Sequence, residues 1–109
     1  MVRSVSPQQA NELISRGEVE VIDVRDANEW STGHLAGARL VPLDQFRANP
    51  KAALPRDGVL FVCAAGVRSQ TAARVAASLG FTKIYNLNSG TRGWAKAGLP
   101  LVQDLSVAV

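Results

Sequence analysis

The run "VLFVC", residues 59–63, constrains this chain more than any other. Five apolar residues in succession follow Gly58. That is too short for a helix and lacks the alternation of a half-exposed strand, so it reads as a buried strand. The next residues are equally specific. Ala64, Ala65 and Gly66 carry little or no side chain, and Val67 and Arg68 come after them. From Ser69 to Leu79 the spacing predicts a helix, with Ala72, Val75, Ala76 and Leu79 on one face and Gly80 closing it. A buried strand, a small-residue loop and a helix form half of a strand–helix–strand unit.

The rest of the chain repeats that alternation. "SVS" (4–6) reads as a short edge strand. The segment 6–17 reads as a helix, with Ser6 as cap, Pro7 at the first helical position, Gln9 completing a capping box and Gly17 as stop. "VEVIDV" (19–24) is a β-branched strand. Asp26 and Glu29 repeat the capping box and start a short helix to about Ser31. "GHLAGA" is a loop, "RLVP" (39–42) a strand, "LDQFRA" (43–48) a short helix, and 49–58 a loop with one helical turn. "KIYNL" (83–87) is the next strand, and "SGTRGWAKAG" a loop and a last helix. Such alternation predicts an α/β domain with a mostly parallel sheet. Open sheets of that kind bind ligands outside the carboxyl ends of their strands, which points at Asp23–Asp26 and Cys63–Ser69.

Composition narrows the function classes. A chain of 109 residues, 47% hydrophobic, fits one domain over 1–109, with a core of about 4–101 and a short tail, 102–109. The net charge of +3 comes from nine Arg and three Lys against nine acidic residues, with the Arg scattered from Arg3 to Arg92 and no basic–aromatic cluster. Nucleic-acid binding is therefore not expected, and a mild attraction for small anions is. One cysteine excludes an internal disulfide, and one Cys with one His leaves too few soft ligands for structural zinc. No metal or cofactor is expected. The N-terminal "MVRSVSPQQ" lacks an apolar signal-peptide core, and no run approaches the ~18 apolar residues of a membrane helix. The expectation is a cytoplasmic monomer with no membrane contact.

A lone cysteine after Val62 is ordinarily a small buried hydrophobe. Its surroundings argue otherwise. A loop as small as 64–66 can turn successive N–H groups inward as an anion nest, and the following helix adds its own free N–H groups. Arg68 adds a permanent charge and a fork of donors suited to an oxyanion. These groups lower the pKa of Cys63 and place an anion beside its sulfur. No general base is visible near the loop, which suits a nucleophile that is already ionised. His34, the only histidine, lies nearly thirty residues away and reads as structural. The loop is C-x-x-x-x-R, one residue shorter than the C-x-x-x-x-x-R of cysteine phosphatases. A shorter cradle fits one extra sulfur atom better than a tetrahedral phosphate.

These segments together resemble single-domain rhodaneses, the thiosulfate-type sulfurtransferases. "VIDVRDANEWSTGHLAGA" is similar to the family's first signature, "VCAAGVRS" to its active-site loop, and "IYNLNSGTRGW" to the segment before its last helix. The resemblance implies a rhodanese-like α/β fold, a central parallel five-stranded sheet with helices on both faces. It implies that Cys63 carries sulfur as a persulfide taken from thiosulfate and handed to cyanide or a thiol, with no other cofactor. Residues 64–68 (Ala64, Ala65, Gly66, Val67, Arg68) with Ser69 would form the binding loop, Gly66 turning where a Cβ would clash and Arg68 holding the donor's oxygens. Asp23, Arg25, Glu29, His34 and Trp94 would support it: Arg25 paired with Glu29, His34 fixing a loop, Trp94 under the active-site loop or in the core. Ser89-Gly90 stands where many relatives have Gly-Gly, and is expected to alter the pocket rim. The alternatives are a persulfide relay serving tRNA or cofactor thiolation, with a sulfur-relay protein as partner; a phosphatase or arsenate reductase of related fold; and a non-catalytic binding module.

Overall fold

A computed structural model of the chain describes residues 1–54 and 56–103. Five strands, β1 (Val2–Val5), β2 (Glu20–Asp23), β3 (Arg39–Leu40), β4 (Val59–Val62) and β5 (Ile84–Leu87), form one sheet in the order β1-β5-β4-β2-β3. Every pairing is parallel. The helices are α1 (Pro7–Ser15), α2 (Ala27–Ser31), α3 (Leu43–Ala48), α4 (Pro50–Ala53), α5 (Val67–Ser78) and α6 (Gly90–Lys96). Among the described residues no helix is long and apolar enough to cross a membrane.

Strand alternation sorts the core into two layers. Ile22, Val59, Phe61 and Ile84 face one side, with Phe46 of α3, Ala53 of α4 and Ala72, Ala73 and Ala76 of α5. Val21, Leu60, Val62 and Leu87 face the other, with Ala10 of α1 and Trp94 of α6. The sheet is thus covered on both faces, as a parallel sheet requires. All of β4 is buried, which is why it carries no polar residue. Three alanines let α5 lie close on the sheet, and Phe46 meets Phe61 edge-on at 5.3 Å between ring centroids. Cys63 continues the β4 alternation onto the α5 face.

Both capping boxes form. Ser6 Oγ accepts from the Gln9 N–H while Gln9 Oε1 accepts from the Ser6 N–H, and Asp26 and Glu29 exchange the same pair of bonds. Four expectations change. Helix α5 starts at Val67, not Ser69, because Gly66 makes its cap in the left-handed region at φ 94°. Leu79 falls just beyond that helix and is 36% exposed, so it leaves the apolar face. Strand β3 is only Arg39–Leu40, with Pro42 unable to donate to a ladder. The tail is tied in at its start, since Val102 and His34 exchange backbone bonds of 2.8 and 2.9 Å; residues 104–109 of the tail lie outside the described residues.

Ser89, the first residue of the Ser89-Gly90 pair, packs its side chain against α6. Ser89 turns its side chain back along α6, where a Cβ on Gly93 would come within 2.0 Å of Ser89 Oγ. Gly93 leaves the room that Ser89 fills, and the Ser89 hydroxyl is buried there without a hydrogen-bond partner. Gly93→Ala alone therefore overpacks the helix and lowers stability by about 1–3 kcal/mol. Adding Ser89→Gly should restore it, since the clash goes and alanine is the better helix former. Chemical denaturation of the two single variants and the double variant reads this; additive effects would rule the pairing out.

At the opposite end of the sheet from Cys63, Asp57 accepts hydrogen bonds from the N–H groups of Gly58, Thr82 and Lys83 and from the Thr82 hydroxyl. The Thr82 hydroxyl first, then the backbone donors, hold its carboxyl down at about 2. A folded-state pKa below the unfolded value means stability that is present above the unfolded pKa and lost as pH falls toward 2. Asp57→Ala should cost about 1 kcal/mol at neutral pH, allowing for its exposure. It should also flatten the loss of thermal stability between about pH 5 and pH 2. A pH series of melting curves identical to wild type would contradict this.

Candidate active site

Strand β2 leads outward to β3, whereas its neighbour β4 leads the other way to β5. Their carboxyl ends therefore diverge into a crevice, the place where open α/β sheets bind ligands. The Val24 N–H donates to Val62 O at 2.9 Å and holds the two strand ends side by side. From β2 the chain enters Arg25 and α2; from β4 it enters Cys63, the loop 64–66 and α5.

Cys63 is 1% exposed. Its Sγ accepts from the Gly66 N–H at 3.1 Å and lies 3.3 Å from Ser69 Oγ. Burial pushes the thiol up. Against it act the Ser69 hydroxyl and the N–H groups of Ser69, Ala65 and Gly66, and these win, so the thiol titrates below its ordinary value. Gly66 is required here: at φ 94° any side chain is strained, and a Cβ would sit 2.2 Å from Asn88 O. Gly90 is equally confined, with a Cβ position 2.3 Å from the Ala64 carbonyl. The Thr91 N–H donates to Cys63 O and the Arg92 N–H to Ala64 O. Ala65 and Val67 are exposed on the rim, Ala64 and Arg68 half-buried, and Gly66 and Ser69 buried.

Asn86 of β5 belongs to this site and was not among the sequence expectations. It is buried, its Oδ1 accepts from the Ser69 hydroxyl at 2.5 Å, and its Nδ2 donates to Gly66 O and Gln70 Oε1. Alternation carried the signal: with Ile84 on the α5 face, Asn86 two residues later had to face the same way as Cys63.

The charged pairs differ from expectation. Arg25 does not pair with the Glu29 carboxylate. It is buried at 4% exposure against a fully buried Asp23, with Nη2 donating to Asp23 Oδ2 at 2.8 Å and to Gly33 O at 2.7 Å. Glu29 is instead gripped by Arg68, Nη1 and Nη2 each donating to one carboxylate oxygen at 2.7 Å. The Arg68 guanidinium holds the Glu29 carboxyl down at about 2, and Glu29 in turn raises Arg68. The loop arginine is therefore already engaged by a carboxylate. His34 stacks on Trp30 with ring centroids 3.5 Å apart and places Nδ1 3.1 Å from Trp30 O, holding the turn after α2. Trp94 does not lie under the loop: it packs in the core layer on the face opposite Cys63 and donates Nε1–H to Pro100 O.

Two hollows flank the Arg68–Glu29 bridge. One, about 420 Å³, is lined by Glu29, Asn28, Thr32, Ala64, Thr91 and Arg92, with Arg25 and Asp26. The other, about 240 Å³, is lined by Arg68, Asp26, Asp44, Val24, Pro42 and Leu43. Among the described residues no three His, Cys, Asp or Glu side chains gather where a metal ion could be held. Chemically, the site offers a buried thiol of lowered pKa among hydrogen-bond donors, in a loop that borders the larger hollow through Ala64.

The chain is similar in sequence and in fold to known proteins. The chain is 36% identical over 95 residues to the thiosulfate sulfurtransferase GlpE of Ectopseudomonas mendocina, covering 84% of each chain. It is 38% identical over 77 residues to the protein YqhL of Bacillus subtilis, covering 71% of this chain and 61% of that one. Its structure superposes on a rhodanese-related protein of Thermoplasma volcanium with TM-score 0.83 at 29% identity, covering 94% and 99% of the two chains. The human single-domain sulfurtransferase TSTD1 superposes with TM-score 0.77 at 26% identity, covering 85% and 95%. The rhodanese-like domain profile matches residues 6–97, and the chain belongs to that family.

Proposed function

We propose that this protein is a sulfurtransferase that carries a sulfane sulfur on Cys63. The observation that carries the reading is the thiol itself, buried yet lowered in pKa by the Ser69 hydroxyl and by N–H groups of its own loop. The relationship to GlpE and TSTD1 supports the same chemistry. In the first step the Cys63 thiolate attacks the outer sulfur of thiosulfate. The sulfur–sulfur bond breaks, sulfite leaves with the electron pair, and a Cys63 persulfide anion remains. In the second, cyanide or a thiolate attacks the outer persulfide sulfur and regenerates the Cys63 thiolate. The covalent intermediate divides one transfer into two easier ones. The N–H groups of residues 64–68 stabilise the added sulfur's charge by preorganised hydrogen bonding. No cofactor beyond the persulfide takes part, and the protein works as a cytoplasmic monomer.

The exposed rim supports a second reading with the same chemistry. Val67 is 75% exposed and Ala65 is exposed beside it, an apolar lip suited to a protein-borne persulfide in a relay. Phosphatase or arsenate chemistry is less well served. With α5 starting at Val67, only residues 63–66 separate strand from helix.

Intact-mass spectrometry after incubation with thiosulfate tests the proposal. The wild type should gain one sulfur atom that cyanide removes, and Cys63→Ala should gain none. A folded, thiol-reactive wild type that stays unloaded by thiosulfate and by organic persulfides sinks the reading. Ser69→Ala, which removes the largest opponent of burial, should move the pH profile of iodoacetamide alkylation to higher pH. It should slow sulfur loading at neutral pH by about three- to tenfold. An unmoved profile would show that the backbone donors alone set the thiol.

A further inference from the structure

Sequence reading gives anion recognition to Arg68, yet Arg68 is held by both oxygens of Glu29 at 2.7 Å. A thiosulfate dianion would have to compete with a carboxylate for that fork. The hollow on the Arg68 side is also lined by Asp26 and Asp44, which repel an anion. The hollow on the Glu29 side differs. Its Arg25 is neutralised by Asp23 and its Glu29 by Arg68. Its Asp26, shared with the other hollow, accepts the Glu29 N–H at the start of α2 but has no cationic partner among the described residues. Against that one negative charge stands Arg92, exposed, and paired with no carboxylate among the described residues, whereas the other hollow sets both Asp26 and Asp44 against an Arg68 already held by Glu29.

The Arg92 backbone is also fixed beside the Cys63 loop. Its N–H donates to Ala64 O at 3.2 Å, and its neighbour Thr91 donates to Cys63 O at 2.8 Å. Ala64, the residue after Cys63, lines the same hollow as Arg92. An anion approaching the Cys63 loop from this side meets the unpaired Arg92 and a single unpaired carboxylate, Asp26, with Thr91 and Asn28 lining the same hollow.

We infer that Arg92, not Arg68, binds the anionic group of the sulfur donor, and that the hollow between α2 and α6 is the donor's entry. The Arg68–Glu29 pair is then the partition that keeps the acidic neighbour hollow apart. Donor class is set by this arrangement: small sulfur donors bearing an oxyanion or carboxylate are preferred over neutral ones of equal size. The inference rests on the sulfurtransferase reading for the identity of the donor, and on the geometry alone for the anion preference.

The test therefore uses a probe that needs no sulfur transfer. Iodoacetate and iodoacetamide differ little in size and by one negative charge, and in both cases the Cys63 thiolate displaces iodide. The ratio of their alkylation rates should fall about fivefold in Arg92→Ala and further in Arg92→Glu, while the iodoacetamide rate moves by less than about twofold. Arg92→Lys should keep most of the preference. The KM for thiosulfate should rise in Arg92→Ala by a similar factor, with a smaller effect on kcat, as lost ground-state binding does. The double variant Glu29→Gln with Arg68→Gln, which removes the neutral pair together, should keep the wild-type ratio. A ratio unchanged in Arg92→Ala, or lost in the double variant instead, overturns the inference. If the ratio follows Arg92 but thiosulfate loads no sulfur, the donor reading fails and the anion entry stands.

Discussion

Two stretches of backbone meet at this site with no side chain between them, and the surroundings of the Cys63 thiol depend on that contact. Gly66 rests against Asn88 O, and Gly90 against the Ala64 carbonyl, both closer than any Cβ permits. The contact fixes the direction of the loop's peptide planes. Ala64 O is taken by the Arg92 N–H, so the Ala65 N–H, trans across the same planar peptide, must point the other way, toward the sulfur. Cys63 O is taken by Thr91 and Gly66 O by Asn86. With its carbonyls anchored outward on β5 and α6, the loop has its amides free to turn inward. The donors around Cys63 are thus a consequence of how the next strand and helix pack.

The three arginines of the crevice divide along lines of burial. Arg25 and Asp23 are an almost wholly buried pair, supplemented by bonds to Gly33 O and the Asp23–Arg25 backbone. Removing either partner leaves an uncompensated buried charge, at about 3–5 kcal/mol. Their work is to fold the β2 end into α2. Arg68 and Glu29 are about a third exposed, so their attraction contributes modestly to stability. Their importance is positional, because they join the two helices that diverge from β2 and β4. Arg92 has neither burial nor a partner among the described residues, and so keeps its field for what enters.

What was legible in the sequence is what is local. Both capping boxes, the strand–helix alternation and the Gly66 turn are decided within a few residues, and their patterns sit in plain view. Cys63 stood out because its loop composition is unusual over six positions. The partners of charge were not legible. Glu29 is four residues from Arg25 and thirty-nine from Arg68, and sequence distance favoured the wrong one. Burial decided it: Asp23 held Arg25 at the strand end, leaving the Glu29 carboxylate to reach across the crevice. Val102 and His34 likewise meet across a long sequence separation. Asn86 lies between these cases, since period-two alternation places it but only the fold shows that Ser69 lies above it.

The Ser69 hydroxyl carries a single proton and has two claimants, Asn86 Oδ1 and the Cys63 sulfur. While the thiol is protonated both demands are met in a chain: S–H donates to Ser69 Oγ, and Ser69 donates to Asn86. Once the thiol ionises, the hydroxyl proton must turn to the sulfur, and Asn86 Oδ1 loses its donor. An unpaired buried amide oxygen is costly, so the network resists part of the ionisation that the hydroxyl promotes. The backbone N–H groups face no such conflict, because each donates in one fixed direction. They give the steady part of the thiol's lowered pKa, and Ser69 the part that depends on its neighbour. That division explains how a cysteine with 1% of its surface exposed has a lowered pKa with no histidine among the groups that act on it. The ionised sulfur is met by dipoles already in place, which must neither titrate nor travel.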